Sequence, residues 1–494
     1  MEEAHAKNIG HDFFKKVTKL ADDKAKVQSA AKDKHGSQQT APEEVNEVLG
    51  AWDKYRSKHL NTKFPRDLRY SSQLLVILNS AQSVREAFQN QYIIDRPRFT
   101  KNIEKGEDGR AEHGVVWSSG DPWRDQRRFT LSTFRSFGVG KRSFEEQISV
   151  EVRALCEEIS AFKGESFNPR KLLANAVSNI ICAVIFGKRF EYSDTAFHEL
   201  LVLLDRTLEI AGAGSAELLI PILRYFNLAS ATEKEIHSIS QQLKTYFRHM
   251  IDNHQEQFDP TDLRDYIDVY LNEIKQTEAN GLSSHITVNN LQATVLQLFA
   301  AGSETTNTTI RWALLYMIAH PDIQRKVQHE IDNVVGRNRL PNLSDKEHMP
   351  YTEATIMEVQ RIVSIVPVGV PHCAAEDTTL NGYNIPKNAI IMSNIWAIHH
   401  DLLVWDAPDT FRPERFLDDD GLVSQPDEYI PFSVGRRVCL GENLAKMELF
   451  IFFSHLLHRF TFRKPQGSSR LCFDGIIGAT NAPHNYNIEA ILRD

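Results

Sequence analysis

One cysteine, Cys439, stands in a setting suited to holding a metal ion. The segment 432–442 reads FSVGRRVCLGE, so Cys439 lies between Gly435 and Gly441, just ahead of an apolar helical pattern. Backbone N–H groups at the start of a helix favour negative charge, and glycines let the backbone approach a flat ligand closely. A buried structural cysteine would account for Cys439 alone, but it explains the whole pattern F-x-x-G-x-R-x-C-x-G poorly.

Two neighbours of the cysteine support this interpretation. Arg437 supplies a cation suited to a carboxylate, and Phe432 can shield the sulfur from water. The remaining cysteines show no C-x-x-C spacing, which disfavours a disulfide framework or a zinc site, and they are expected to be ordinary buried thiols. They are Cys156, Cys182, Cys373 and Cys472.

A second group of candidate residues lies in the longest helical pattern, at 287–319, whose middle reads AAGSETTNTT. This is a poor helix interior, and a broken local rule in a strong helix favours a functional site. Ala301 and Gly302 would leave room for a ligand, and the Thr305 hydroxyl can bond back to the carbonyl of Ala301. Glu304 and Thr305 then form an acid–alcohol pair suited to proton transfer. A polar kink with a solvated glutamate is the alternative.

Two further pairs of candidate residues occur at helical spacing. Glu358 and Arg361 lie three residues apart, so they share one face of a helix, as an ordinary surface pair also would. Trp123 and Arg127 lie one helical turn apart, so both can point at one anionic group.

The elements that must position these residues are mainly helices. Apolar residues recur every three or four positions over 144–162, 171–187, 195–211, 234–255, 287–319, 322–336, 350–364 and 442–459. Short strands are expected over 365–395, with Asn381-Gly382 as a turn, and again in the C-terminal tail. The predicted fold class is therefore mainly α with a minor β part.

The composition limits the possible functions. A net charge of −8 over 494 residues does not favour nucleic-acid binding, and 41% hydrophobic residues suffice for a large core. Residues 1–60 are rich in charged and amide side chains and contain no apolar run of spanning length. We expect a charged, partly disordered leader without an anchor helix, followed by one large domain over 61–494.

Three of these features together resemble the motifs of the cytochrome P-450 superfamily. The cysteine segment resembles its haem-binding loop, and the stretch around Glu304 resembles its A-G-x-[DE]-T-T signature. The segment FRPERF at 411–416, with Glu358 and Arg361, resembles its charged anchor. The resemblance runs from about Ser71 to the C terminus and is to the microsomal animal branch, which oxidises drugs, steroids and fatty acids.

The resemblance implies a single haem-thiolate monooxygenase fold, with haem b between the long central helix and the helix after the cysteine loop. Cys439 would be the axial thiolate, and Glu304 and Thr305 would deliver protons to bound dioxygen. Arg415 would join Glu358 and Arg361 in a buried structural network. Further side chains would contact the haem, its propionates or the sulfur: Arg96, Trp123, Arg127, Ala301, His372, Phe432, Gly435, Arg437 and Gly441.

Small aliphatic residues match the substrate pocket of relatives, which favours an apolar substrate, although plain core packing would also produce them. They are Val115, Val116, Ala301, Val366 and Val370. The implied reaction places one atom of O₂ in a C–H or C=C bond of a fatty acid, steroid or xenobiotic. Because no GxGxxG signature appears, electrons would come from a separate NADPH-dependent flavoprotein reductase. The alternatives are an O₂-independent haem-thiolate isomerase or dehydratase, and a haem sensor without enzyme activity.

Two surface features follow from the same comparison. The apolar segment 217–224 would touch a membrane interface peripherally, or it packs in the core. The family location is the cytoplasmic face of the endoplasmic reticulum membrane, whereas a chain without an anchor would be cytoplasmic or peripheral. A basic face would dock an acidic electron donor, unless it is only a solvated face. Its residues are Arg127, Arg128, Arg135, Lys141 and Arg142.

Overall fold

The computed structural model describes residues 74–97, 114–219, 228–282 and 284–493. Residues 74–212 and 231–494 form one compact unit. The predicted leader at 1–60 and the side chains of the apolar segment 217–224 lie outside the described residues. The domain boundary at residue 61 therefore stays a prediction.

Helices make up most of the described chain. They are α1 (Ala81–Gln89), α2 (Gly114–Trp117), α3 (Gly120–Ser136), α4 (Glu145–Ser160), α5 (Arg170–Phe186), α6 (Thr195–Leu219), α7 (Leu228–Glu256), α8 (Tyr266–Ala279), α9 (Val288–Ala319), α10 (Pro321–Val335), α11 (Pro350–Val363), α12 (Ile395–His399) and α13 (Glu442–Arg459). In the described part of the chain, no helix is both long enough and apolar enough to cross a membrane.

The strands are short and form four small sheets in the described residues. Strands β1 (Leu75–Leu78), β5 (Ile390–Ser393) and β2 (His372–Cys373) form a mixed sheet in that order. Three antiparallel pairs complete the β part: β3 (Thr378–Leu380) with β4 (Tyr383–Ile385), β6 (Phe460–Arg463) with β9 (Glu489–Leu492), and β7 (Gly475–Ile477) with β8 (Asn481–Pro483). The prediction of a mainly α fold with a minor β part is confirmed.

Two helices are buried on nearly all sides and form the centre of this unit. Every residue of α9 over 306–318 is buried, and so is every residue of α13 over 447–458. A helix that is apolar all round must be enclosed by others, and α9 packs against both α5 and α13. Thr287 begins α9 by accepting a hydrogen bond from the N–H of Asn290, and Pro321 starts the next helix.

Two elements depart from the expected pattern. The sequence predicts short strands up to residue 395, but β5 ends at Ser393 and the Asn394 side chain then caps α12. Helix α8 was absent from the predicted helices; the Asp265 side chain begins it by accepting from the N–H of Asp268. Cys472 is exposed, so the expectation that it is a buried thiol was wrong.

Candidate active site

The cysteine loop is held against α1 by close backbone packing. A short 3₁₀ turn at Gly435–Arg437 precedes Cys439, whose N–H donates to the carbonyl of Phe432 at 3.1 Å. Gly435 has φ +80°, and a Cβ there would lie 2.4 Å from the carbonyl oxygen of Phe88. Glycine is therefore required at this position for both its conformation and its contact. A Cβ on Gly441, by contrast, would meet no atom within 4 Å.

The Cys439 thiol lies in an environment with opposing electrostatic effects. Burial raises its pKa, while the backbone N–H of Gly441 and the charge of Arg127 lower it. Glu442, the first residue of α13, raises the pKa further. Burial prevails, so the protein alone favours the neutral thiol, and a bound cation would be needed to hold the thiolate.

Three arginines converge on the same region without an acidic partner. Arg437 donates to the carbonyls of Ile94 and Ser118 at 2.9 and 2.6 Å, and Arg96 donates to that of Pro371 at 2.7 Å. Arg127 donates to the carbonyl of Val438 at 2.7 Å. None of the three has a carboxylate within 4.0 Å among the described residues, although other arginines of the same unit do.

The consequence is a concentrated positive charge. Burial and the neighbouring Arg96 lower the pKa of Arg437 to about 8. Burial and the neighbouring Arg127 lower the pKa of Arg96 to about 9. Guanidinium groups stay protonated in proteins, so these shifts mark a site that would bind an anion favourably.

Trp123 and His372 lie beside the arginines. The guanidinium carbon of Arg437 is 4.0 Å from the centroid of a Trp123 ring, and the Trp123 indole N–H is buried without a hydrogen-bond partner among the described residues. His372 stacks on Phe88 with a centroid separation of 3.7 Å, and its Nδ1 lies 2.8 Å from the carbonyl oxygen of Ile93. Burial and the charge of Arg96 lower the pKa of His372 to about 3, so it is neutral.

On α9, Glu304 and Thr305 form hydrogen bonds with different partners. The Thr305 hydroxyl donates to the carbonyl of Ala301 at 2.8 Å, as the sequence predicts. Glu304 accepts at Oε1 from the hydroxyls of Thr308 and Thr480, at 2.9 and 3.1 Å. No direct hydrogen bond joins Glu304 to Thr305 in the described residues, so a proton passing between them needs an intervening water.

Two further features of this helix bear on the predicted site. Burial, and then the charge of Asp205, raise the pKa of Glu304. Gly302 does not leave room for a ligand as expected, since its Cβ would lie 3.0 Å from the Cγ1 of Ile181 on α5. Ala301 is the exposed neighbour, so the space predicted beside this segment lies at Ala301 alone.

The charged network around Glu358 is present and buried. Arg361 donates to both carboxylate oxygens of Glu358, at 2.7 and 2.9 Å, and Arg415 donates to Oε1 at 3.0 Å. Arg361 also donates to the carbonyls of His399 and Pro408, each at 2.7 Å. The network ties α11 to the chain that precedes the cysteine loop.

The predicted pocket residues are distributed over three segments. Val115 and Val116 lie on α2, which the Gln297 side chain joins to α9 by accepting from the N–H of Val116 at 2.7 Å. Val366 and Val370 follow α11, and Val370 is exposed.

The expected basic face is smaller than the sequence indicated. Arg128, Arg135, Lys141 and Arg142 are exposed, whereas Arg127 turns inward to the carbonyl of Val438. Arg127 therefore belongs to the arginine cluster and not to the surface. The periodicity of α3 already separated Arg127 from Arg128 by about 100°, which was the signal available in the sequence.

The residues present fit a haem. An unpartnered indole N–H and three arginines without carboxylates among the described residues suit its two propionate groups, and the exposed Cys439 thiol just ahead of α13 suits its iron. Sequence reasoning missed Thr308 and Thr480. Thr308 was detectable because it lies four residues after Glu304 on the same helix face, whereas Thr480 has no local signal.

Comparison with known proteins agrees with this site. The family model described as Cytochrome P450 matches residues 64–490. Cytochrome P450 2U1 of Bos taurus is 42% identical over 421 residues, which cover 84% of this chain and 76% of that protein. Cytochrome P450 2J2 of Homo sapiens is 43% identical over 380 residues, covering 77% of this chain and 75% of that protein.

These matches confirm the resemblance seen in the sequence, with the mainly α fold and the haem-dependent monooxygenase activity that it implied. Members use a haem whose iron is held by a cysteine thiolate, and they take electrons from a redox partner. By the family match over most of its length, this chain belongs to the cytochrome P450 family.

Proposed function

We propose that Cys439 is the axial thiolate of this haem enzyme, which inserts one atom of O₂ into an apolar substrate by hydroxylation or epoxidation. The substrate class is a fatty acid, a steroid or a xenobiotic. The observation that carries the proposal is the Cys439 thiol beside Arg127, which with the buried Arg96 and Arg437 forms a group of three arginines that have no carboxylate within 4.0 Å among the described residues.

The positions of these side chains support the binding roles that we propose. Arg96, Arg127, Arg437 and the Trp123 indole N–H hold the propionates. Gly435 contributes by holding the cysteine loop against α1, and Gly441, where a Cβ would meet no atom within 4 Å, lets the loop approach the flat ring. When bound, haem supplies the activation of O₂ and the transfer of one oxygen atom. His372 completes the same cluster, since Arg96 and Arg437 lie close enough to lower its pKa. Phe432 covers the loop on the side of Lys446, 5.5 Å from its ring centroid.

Glu304 and Thr305 deliver protons to the reacting oxygen. The raised pKa of Glu304 keeps a carboxyl proton available nearer neutral pH, where a general acid works best. Thr305 places its hydroxyl on the exposed side of α9, beside Ala301. This pair favours oxygen activation over O₂-independent isomerisation, which can dispense with a proton relay.

The substrate side is aliphatic. Val115, Val116, Ala301, Val366 and Val370 offer no charged group, so they select an apolar substrate by shape. The exposed cations Arg128, Arg135, Lys141 and Arg142 dock an acidic NADPH-dependent flavoprotein reductase. The cytoplasmic face of the endoplasmic reticulum membrane is the matching location.

The reduced, CO-bound spectrum tests the thiolate assignment. The wild-type protein and the Cys472→Ala control, which changes an exposed thiol, should show the long-wavelength Soret band of a thiolate haem. Cys439→Ala should lose that band. If Cys439→Ala keeps it, the ligand assignment is wrong.

Proton delivery is tested separately. Thr305→Ala should keep the spectrum but convert more of the NADPH consumed into peroxide or water in place of product. An unchanged ratio of product to NADPH would contradict the role of Thr305.

A further inference from the structure

The turn between β7 and β8 reaches the proposed proton donor. Thr480, in this turn, is buried, and its hydroxyl donates to Oε1 of Glu304 at 3.1 Å. Thr308, one turn along α9, donates to the same oxygen at 2.9 Å. In the described part of the chain no group donates to Oε2, so that oxygen is the one able to exchange a proton.

The turn is fixed on the side of α6. The N–H of Ala479 donates to the carbonyl of Leu208 at 3.0 Å, and a Cβ on Gly478 would lie 2.9 Å from that same oxygen. Inside the turn, the N–H of Gly478 donates to the carbonyl of Thr480 at 2.8 Å. The backbone of Thr480 is thus held by a close approach that only glycine permits.

The turn is also fixed on the side of α9 and α11. The N–H of Asn481 donates to the carbonyl of Ile365, and its side-chain amide donates to that of Val363, both at 2.8 Å. The Trp312 indole N–H donates to the carbonyl of Asn481 at 2.8 Å. With both flanks anchored, the Thr480 hydroxyl has a defined position relative to Glu304.

The electrostatic effect of this contact has a definite sign. Burial and Asp205 favour the protonated form of Glu304. The hydrogen bond from Thr308, the charge of Arg311 and the hydrogen bond from Thr480 favour the carboxylate and lower its pKa. The two hydroxyls therefore oppose a strong desolvation and also hold Oε1, which leaves Oε2 as the exchanging atom.

We propose that Thr480 is a positioning residue for proton delivery. It acts through Glu304 from the turn that is hydrogen-bonded to α6. The proposal rests on the proposed role of Glu304 as the proton donor. It adds that the donor is held from outside its own helix, by a turn anchored to α6 and to the segment after α11.

The first test follows the Glu304 carboxyl itself. In the haem-loaded protein, the infrared C=O stretch of the protonated acid is assigned by its loss in Glu304→Gln and titrated with pH. Thr480→Val, which keeps the shape but removes the hydroxyl, should raise the midpoint by about one pH unit, since a hydrogen bond to a charged group is lost. Thr480→Ser should restore it. Thr277→Val is a control that also removes a threonine hydroxyl, one that donates to the backbone carbonyl of Glu273, and it should leave the midpoint unchanged.

The second test measures product formed per NADPH, with laurate as the probe and a flavoprotein reductase as donor. Thr480→Val should lower this ratio toward the value for Glu304→Gln, and it should add nothing in the Glu304→Gln background. An unmoved infrared midpoint, or an equal loss in both backgrounds, would overturn the role of Thr480. An unchanged ratio in Glu304→Gln would instead refute Glu304 as donor, while the midpoint still reports on Thr480.

Discussion

Replacement of Glu358 by glutamine isolates the charge of the buried network. The carboxylate has no exposed surface and accepts four hydrogen bonds at 2.7–3.0 Å, from the Arg361 and Arg415 side chains and from the backbone N–H of Arg412. Glu358→Gln keeps the volume but puts an amide donor against guanidinium donors. Two cations with side-chain exposures of 0% and 5% then lose their only carboxylate within 4.0 Å among the described residues.

The expected cost is large because the pair is buried. Removing one partner of a buried, hydrogen-bonded ion pair costs about 3–5 kcal/mol, mainly because the remaining charge is left without compensation. A pair on the surface of a helix provides the contrast. Arg248 and Asp252 also lie on one helix at 2.8 Å, but their side chains are 47% and 45% exposed. For Asp252→Asn the expected loss is about 0.5 kcal/mol or less.

The assay is urea unfolding of the haem-loaded protein, followed by tryptophan fluorescence and by the reduced CO spectrum. Trp405 is a suitable reporter, since the Arg361 guanidinium carbon lies 5.3 Å from its ring centroid. Glu358→Gln should lower the urea midpoint far more than Asp252→Asn and should reduce the fraction of protein with a thiolate band. Equal midpoints for the two variants would refute the reasoning, because burial would then make no difference.

Three further changes test other parts of the site. Gly435→Ala should reduce the free energy of unfolding by well over the about 1–2 kcal/mol that a positive φ alone costs. Gly467→Ala is the control, since Gly467 has φ +75° and a Cβ there would meet no atom within 4 Å. The urea midpoints of the two variants make the comparison. Trp123→Phe keeps an aromatic ring but replaces the larger indole and removes its unpartnered N–H, so haem should transfer faster to an excess apoglobin. His254 is buried, which lowers its pKa, but the hydrogen bond and charge of Asp265 prevail and raise it. Its stabilising contribution is complete below about pH 6.5 and is lost as pH rises through the raised pKa. The urea midpoint of His254→Gln should therefore fall below wild type more at about pH 6 than at about pH 9, and an equal difference at both would contradict the charged pair.

The parts of the fold that the sequence predicts best are those set by local rules. Helix α13 begins at Glu442 and ends at Arg459, as the apolar pattern indicated. Gly441 marks its start, and the β-prone residues after Arg459 mark its end. Asn381 and Gly382 both have positive φ, as a two-residue hairpin requires. The spacing of Glu358 and Arg361 likewise sufficed to place them on one face.

The parts that the sequence did not predict depend on tertiary contacts. Thr480 and Glu304 are 176 residues apart, so no periodicity links them. Gly302 is a small residue in a segment that resembles a ligand-binding motif, yet its small size lets α9 pack closely against Ile181 of α5. The periodicity of α3 places Arg127 and Arg128 on different faces, but only the surroundings of α3 decide which of those faces turns inward.

The charges of the site connect its two ends through one ligand. Burial makes the Cys439 thiolate unfavourable, and burial with mutual repulsion makes the Arg96 and Arg437 cations unfavourable. In the proposed site, an iron cation would offset the first cost and two propionates would offset the second. Because both compensations would come from one molecule, weakening the arginine cluster would weaken haem binding and so destabilise the thiolate. This holds although the hydrogen bonds of Arg437 among the described residues go to carbonyls and not to the sulfur. The cysteine loop and the arginine cluster therefore stabilise the loaded protein as one unit, and substitutions in the two are expected to be non-additive.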